Sequence, residues 1–326
     1  MSDHGGNLDL AIRLYGGSHD DWIDLSTGIN PHPYPLPGIP EKSWSCLPTR
    51  EEIDNLEKTA SRAYCTSGCT IAISGAQSAI QIVPRLRKPG VVNILSPTYA
   101  EHTAAFKMAG WQVQQVSEFE KLADSDVAVV VNPNNPDGRG YQPNELLELS
   151  SHVGLLVVDE SFCDLAPELS VASLITRESK SLLVERSFGK FYGLAGLRLG
   201  FVIAGELDAD SLRRLAGPWP VSGPSIAVAT TALADCGWRK NALQRLRHDS
   251  GQLDRLANQC GLRLVGGTHL FRTYVTGDVE MLKERLVQHR IWTRWFADYP
   301  DWIRLGLPSK TEHWDRLERA LTLFHE

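Results

Sequence analysis

The stretch that decides the fold runs from Asp126 to Glu160: DVAVVVNPNNPDGRGYQPNELLELSSHVGLLVVDE. It holds two runs that are apolar at nearly every position, DVAVVVN (126–132) and GLLVVDE (154–160), with a turn-rich NPNNPDG and a helical pattern over 143–152 between them. A strand apolar on both sides has no solvent face, so these runs predict strands buried between helices in a mostly parallel sheet. The alternation continues outward. A helix is expected over 50–64, a strand at CTIAIS (69–74), a helix from Gly75 to about Arg87, a strand at VVNIL (91–95), a helix near 99–109 and a strand at WQVQQV (111–116). The turn signals SGAQ, SPTY, NPNNPDG and DES follow the strands, at the sheet edge where open α/β folds bind ligands.

Beyond residue 220 the texture changes. GPWPVSGPS (217–225) reads as a linker, 225–260 as helical, and LRLVGG, HLFRTYV, IWTRWF and WIRLGL as short strands before a last helix at 311–325. This pattern suggests a smaller α+β domain. The expected partition is an N-terminal segment (1–35) packing with the small domain and the active site, a large α/β domain (36–220) and a small C-terminal domain (221–326).

Composition excludes several classes. The 326 residues carry 33 Lys and Arg against 39 Asp and Glu, a net charge of −6. That balance, with no long basic run, argues against a nucleic-acid partner. No apolar stretch approaches the roughly 18–20 residues of a membrane helix, and MSDHGGNLDL lacks a signal-peptide pattern. Six cysteines in so long a chain point to free thiols and a cytoplasmic setting. Cys65 and Cys69 have no second pair, which argues against zinc, and no metal site is expected. Trp292, Trp295 and Trp302 are expected to pack the small domain, and Cys163 to be a buried inert thiol.

The densest chemistry lies in Ser187-Phe-Gly-Lys190-Phe-Tyr-Gly-Leu-Ala-Gly-Leu-Arg198-Leu-Gly200. Glycines let backbone approach a ligand, a hydroxyl and a guanidinium bind phosphate, and a lysine condenses with aldehydes. The alternative for this stretch alone is a flexible surface loop. Asp159 ends a buried strand and needs a cation there, unless it merely caps a helix. An Asn in the NPNNPDG turn can donate to a phenolate-like oxygen, Ala76 and Gln77 offer N–H groups at a helix start, and Tyr99 can stack on a ring or pack the core.

In their order, NPNNPDG, VVDES and SFGKFYGLAGLRLGF resemble the fold-type-I pyridoxal 5'-phosphate enzymes of the class I/II aminotransferase family, near the histidinol-phosphate aminotransferase branch. The resemblance spans essentially the whole chain and implies a homodimer. It implies that Lys190 is the cofactor lysine, Asp159 the partner of the pyridine nitrogen, Asn135 that of the ring oxygen and Tyr99 the stacking residue. It assigns the phosphate to Ser187, Arg198, Ala76 and Gln77, and the substrate carboxylate to Arg304. Two positions depart from that pattern: Phe162 stands where many relatives have Tyr, and Gly189 where Ser or Thr is common.

His4-Gly5-Gly6-Asn7 and Asp24-Leu-Ser26-Thr-Gly-Ile-Asn30-Pro31 are similar to the L-threonine O-3-phosphate decarboxylase family of cobalamin biosynthesis, which also tends to carry Phe at 162. The similarity implies that His4, Gly5 and Arg294 hold a substrate phosphate. Gly28 stands where some relatives place an Asn against substrate, and Asn135 borders the same region. Decarboxylation rather than amino transfer then requires the substrate carboxylate to be fixed across the cofactor ring, by an anion clamp at each end. The alternatives are an aminotransferase for a phosphorylated amine and a weakly catalytic cofactor-binding partner.

Overall fold

The computed structural model describes residues 5–322. In chain order its helices are α1 (Leu8–Tyr15), α2 (Lys42–Ser45), α3 (Arg50–Ala63), α4 (Ala76–Ile82), α5 (Ala100–Met108), α6 (Pro143–Ser150), α7 (Phe188–Phe191), α8 (Glu206–Ala216), α9 (Gly223–Ala234), α10 (Cys236–Gln259), α11 (Val279–Gln288) and α12 (Thr311–Thr322). Its strands are β1 (Ile23–Asp24), β2 (Cys69–Ile73), β3 (Val91–Leu95), β4 (Gln112–Val116), β5 (Val127–Val131), β6 (Leu155–Asp159), β7 (Leu182–Ser187), β8 (Gly200–Ala204), β9 (Arg263–Thr268), β10 (Phe271–Val275), β11 (Ile291–Trp292), β12 (Arg294–Phe296) and β13 (Tyr299–Gly306). They form two compact units, Pro33–Arg239 and the N-terminal residues up to His32 with those from Lys240 onward. Among the described residues, no helix is long and apolar enough to cross a membrane.

The larger unit holds a seven-stranded sheet, β2-β8-β7-β6-β5-β3-β4, in which only β8 runs against the others. The continuous apolar runs have the reason expected of them: every residue of β2, β5 and β6 is buried. Alternate residues of the strands feed one core layer. Ile71, Ile73, Val92, Ile94, Val127, Val129, Leu155, Val157, Leu183 and Val202 pack with Ala79 and Val83 and with Phe106 of α5. A buried aliphatic side chain contributes about 1.5–3 kcal/mol, so this layer sets much of the unit's stability. The strands β7 and β8, which flank the dense motif, have no counterpart among the strands expected from pattern.

The expected boundary at 220/221 is not where the structure divides. Helix α9 stays with the larger unit because its apolar face, Ile226, Val228, Ala229, Ala232 and Leu233, is buried and it packs on α3. Ser225 at its start donates to the Leu197 carbonyl at 2.7 Å. The division falls inside α10, after Arg239.

The smaller unit carries an antiparallel sheet, β12-β13-β10-β9, and a parallel pair, β1-β11. Asp254 of α10 takes both Arg272 (2.8 and 2.9 Å) and the Tyr274 hydroxyl (2.8 Å), tying that helix to β10. The tryptophans pack: Trp292 meets Trp22 edge-on at 6.3 Å, and Trp302 stacks on Tyr299 at 4.6 Å.

Candidate functional site

Because β2, β3, β5, β6 and β7 run the same way, their C-terminal ends lie at one edge of the sheet, together with the start of β8. That edge gathers Gly75-Ala76-Gln77, Tyr99, Asn135, Asp159, Ser187, Lys190 and Arg198, which are well separated in sequence. Gly75 has φ +83°, and a β-carbon there would sit 3.0 Å from the Arg198 guanidinium, so that cation lies against the start of α4. A β-carbon on Gly200 would meet the Ala76 nitrogen at 2.7 Å, so glycine is needed for β8 to pass beneath that N–H. Arg198 itself has φ +51°, and its Nη1 donates to the Ala195 carbonyl at 3.1 Å. Ser187 ends β7 and is buried.

Tyr99 precedes α5, and its hydroxyl donates to Gln77 Oε1 at 3.1 Å, while Gln77 Nε2 donates to Glu101 at 2.8 Å. The turn asparagines divide their labour. Asn132 donates to the carbonyls of Tyr141 and Leu169, and Asn134 to the Pro97 carbonyl and Asp137, so these two build the loop that carries half-buried Asn135.

Asp159 is 3 % exposed, yet it meets a partner that sequence reasoning missed. Its Oδ2 lies 3.0 Å from His102 Nε2, and its Oδ1 accepts from the Ser161 N–H at 2.8 Å. Burial opposes ionisation of this carboxyl, but His102, by hydrogen bond and charge, and Ser161 outweigh it and hold the carboxyl below its usual range. His102 carries no local signal in the sequence; only the packing of α5 on the strand ends brings it to Asp159. Sequence reasoning also missed Glu185, fully buried on β7 and directly across the ladder from Asp159.

Lys190 sits on α7, immediately after β7, with its Nζ 4.8 Å from the centre of the Phe162 ring. The Gly189 departure has a steric cause: a β-carbon there would lie 2.7 Å from Ala195 Cα, so neither Ser nor Thr fits this backbone. Cys163 is buried, which pushes its thiol up, and its Sγ lies 3.3 Å from the Ala166 carbonyl, as expected of an inert thiol.

In the smaller unit, Arg294 of β12 and Arg304 of β13 are direct cross-strand partners, so two guanidinium groups share one face of the sheet. Like charges placed opposite each other destabilise a sheet unless an anion joins them. Arg304 is 7 % exposed; its Nη2 donates to the Ser26 carbonyl at 2.6 Å and its guanidinium lies 5.1 Å from the Phe271 ring centre. Arg294 lies 5.3 Å from the Phe296 ring centre. Ser26 also takes the Gly6 N–H on its Oγ at 2.7 Å, and a β-carbon on Gly5 would meet the Ser26 carbonyl oxygen at 2.3 Å. Gly5 and Gly6 thus pack on the Asp24-Leu25-Ser26 turn, and Asn7 caps α1 by accepting from the Leu10 N–H at 3.1 Å. Gly28 is buried just beyond that turn. His4 lies outside the described residues.

The chain is 42% identical over 98% of its length to a threonine-phosphate decarboxylase from Sinorhizobium sp, covering 97% of that protein. It is 43% identical over its full length to a threonine-phosphate decarboxylase from Pseudomonas aeruginosa, covering 99% of it. The fold is shared with the crystal structure of histidinol-phosphate aminotransferase from Sinorhizobium meliloti in complex with pyridoxal-5'-phosphate, with a TM-score of 0.81, 18% identity, and coverage of 99% of this chain and 95% of that one. Residues 53–321 match the aminotransferase class I and II family, and the chain belongs to that family.

Proposed function

We propose that this chain is a pyridoxal 5'-phosphate-dependent carboxy-lyase that converts L-threonine O-3-phosphate to (R)-1-amino-2-propanol O-2-phosphate for cobalamin synthesis, acting as a cytoplasmic homodimer. The side chains at the sheet edge fit the cofactor. A buried acid held ionised suits a protonated ring nitrogen, a lysine suits an aldehyde, and a guanidinium against a helix start suits a phosphate. When bound, the cofactor supplies an electron sink for bonds at the substrate Cα.

The protein's own groups do the rest. Lys190 Nζ would hold the cofactor through its aldehyde, Asp159 would pair with its ring nitrogen, and His102 and Ser161 hold Asp159 in its charged form. Tyr99 would stack on the ring and Asn135 would donate to its oxygen. Ser187, Arg198 and the N–H groups of Ala76 and Gln77 would hold the cofactor phosphate. Arg304 would take the substrate carboxylate, while Arg294, Gly5, Gly28 and His4 would take its phosphate. The single observation that carries the substrate class is the cross-strand pair of Arg294 and Arg304, a site for a small molecule with two anionic groups. Two anchored anions fix the substrate's rotation, and that rotation decides which bond at Cα is lost.

The test is to incubate the cofactor-loaded protein with L-threonine O-phosphate and identify the product by mass. Aminopropanol phosphate with stoichiometric CO2 is expected. Amino transfer to 2-oxoglutarate without CO2 would overturn the reading.

A further inference from the structure

The turn Asp24-Leu25-Ser26, at the end of β1, is fastened to three parts of the smaller unit: β11, β13 and the start of the chain. The Leu25 N–H donates to the Trp292 carbonyl at 2.8 Å, two residues before Arg294. The Leu25 carbonyl accepts from the Gly306 N–H at 2.7 Å, two residues after Arg304. Ser26 is fully buried and engages each of its polar atoms. Its carbonyl accepts from Arg304 Nη2 at 2.6 Å. Its N–H and its hydroxyl both donate to Asp24 Oδ1, at 2.8 and 2.5 Å. With that proton committed to Asp24, the hydroxyl oxygen presents its lone pairs and accepts from the Gly6 N–H at 2.7 Å.

The two glycines suit this contact for different reasons. A β-carbon on Gly5 would lie 2.3 Å from the Ser26 carbonyl oxygen, the same atom that Arg304 holds. Gly6 has φ +87°, a region that glycine enters without strain. Gly6 is also exposed, so water would satisfy its N–H if the hydroxyl were removed. The bond is therefore not a requirement of folding; what it fixes is the place of the segment.

We propose that Ser26 is a positioning residue for substrate recognition: its carbonyl sets Arg304 for the carboxylate, and its hydroxyl, oriented by Asp24, holds the Gly5-Gly6 segment at a fixed span from Arg304 for the phosphate. This rests on the reading that Arg304 and the N-terminal segment take the two anionic ends of L-threonine O-phosphate. A chain terminus is loose unless tied down, and ordering it on binding weakens affinity. Fixing the span in advance removes that loss. The hydroxyl acts on the phosphate end alone, because Ser26→Ala keeps the carbonyl that holds Arg304. Ser26 acts through these two anchors and touches no reacting atom.

The test uses the cofactor-loaded wild type and Ser26→Ala. KM is measured for L-threonine O-phosphate, and the inhibition constant for L-threonine, which has the carboxylate and lacks the phosphate. The variant is expected to raise KM roughly 2–12-fold, the equivalent of one net hydrogen bond, and to leave inhibition by L-threonine unchanged. Equal weakening of both compounds, or of neither, overturns the proposal. Should Ser26→Ala not fold, hydrogen exchange of the wild type decides. The Gly6 amide is expected to exchange roughly 10-fold or more slowly than an unstructured amide; exchange at the unstructured rate overturns the proposal. A wild type that releases no CO2 from L-threonine O-phosphate removes the functional reading and this proposal with it. A wild type that does release it, beside a Ser26→Ala variant of unchanged selectivity, removes only the role of Ser26.

Discussion

The same two strands carry buried charge on both faces, and the two faces are built to opposite rules. On one, Arg186 of β7 meets Glu160 at 2.7 Å and Asp164 at 2.8 Å, and lies 4.3 Å from the Tyr64 ring centre. Glu160 also accepts from the Ser170 hydroxyl at 2.6 Å and the Val171 N–H at 2.7 Å. On the other, one residue along each strand, Asp159 and Glu185 lie across the ladder from each other, and a single histidine, His102, meets Asp159 at 3.0 Å. The first face brings its own permanently charged cation, Arg186, to its two acids. The second has only His102 beside its two acids, and on the function proposed above a cation from outside would complete it. The difference teaches that buried charge marks a ligand site where its neutralising partner is missing from the chain, rather than wherever charge is buried.

Paired substitutions break or sharpen this contrast. The largest effects should divide cleanly. Asp159→Asn is expected to lower turnover on the order of 10²–10³-fold with a smaller loss of stability than Arg186→Met. Arg186→Met should cost about 3–5 kcal/mol of stability, because it strands buried acids, while whatever folds keeps its turnover. Denaturant unfolding and initial rates check both, and a stability loss in the first with none in the second would erase the contrast.

Next in size are the cations of the smaller unit. Removing a charge-assisted hydrogen bond loses about 1.5–3 kcal/mol, so Arg294→Ala should raise KM for threonine phosphate roughly 10–100-fold. Cofactor affinity should stay unchanged, and a KM unchanged as well would remove Arg294 from substrate binding.

The pH dependence of the apoprotein is a smaller effect with a definite sign. Glu185 has a raised carboxyl in the folded state, so its contribution is fully present below the ordinary glutamate range and is lost as pH rises through the raised value. Asp159 is the reverse: its contribution is present above the ordinary aspartate range and is lost as pH falls through its lowered value. Unfolding of the apoprotein at rising pH should therefore show a decline that Glu185→Gln flattens; parallel curves would contradict the assignment. The smallest effect expected is that of Phe162→Tyr, which adds one hydroxyl beside Lys190. It should tighten cofactor binding by about 0.5–1.5 kcal/mol, the net value of one hydrogen bond, as read by fluorescence titration.

Much of this was legible in sequence, for identifiable reasons. The runs at 126–132 and 154–160 announced two-sided burial, and the turn signals after the expected strands marked the edge where Tyr99, Asn135 and Asp159 gather; Lys190 was read from its motif, not from the strand before it. His102 escaped because a histidine within AEHTAAF has no local signature; only the packing of α5 on the strand ends brings it to Asp159. Glu185 escaped because register, not spacing, places it beside Asp159. The pairing of Arg294 with Arg304 was hidden for the same reason. The boundary near 220 was misjudged because proline and glycine there turn the chain into α9 without leaving the larger unit: a β-carbon on Gly223 would meet the Ser43 carbonyl oxygen at 2.3 Å.

The most direct test is to locate the cofactor. The protein loaded with pyridoxal phosphate is reduced with borohydride and digested, and the cofactor-bearing peptide is sequenced by mass spectrometry. The cofactor is expected on Lys190 alone, with none retained by Lys190→Ala. A cofactor on a different lysine, or none on the wild type, would contradict the account.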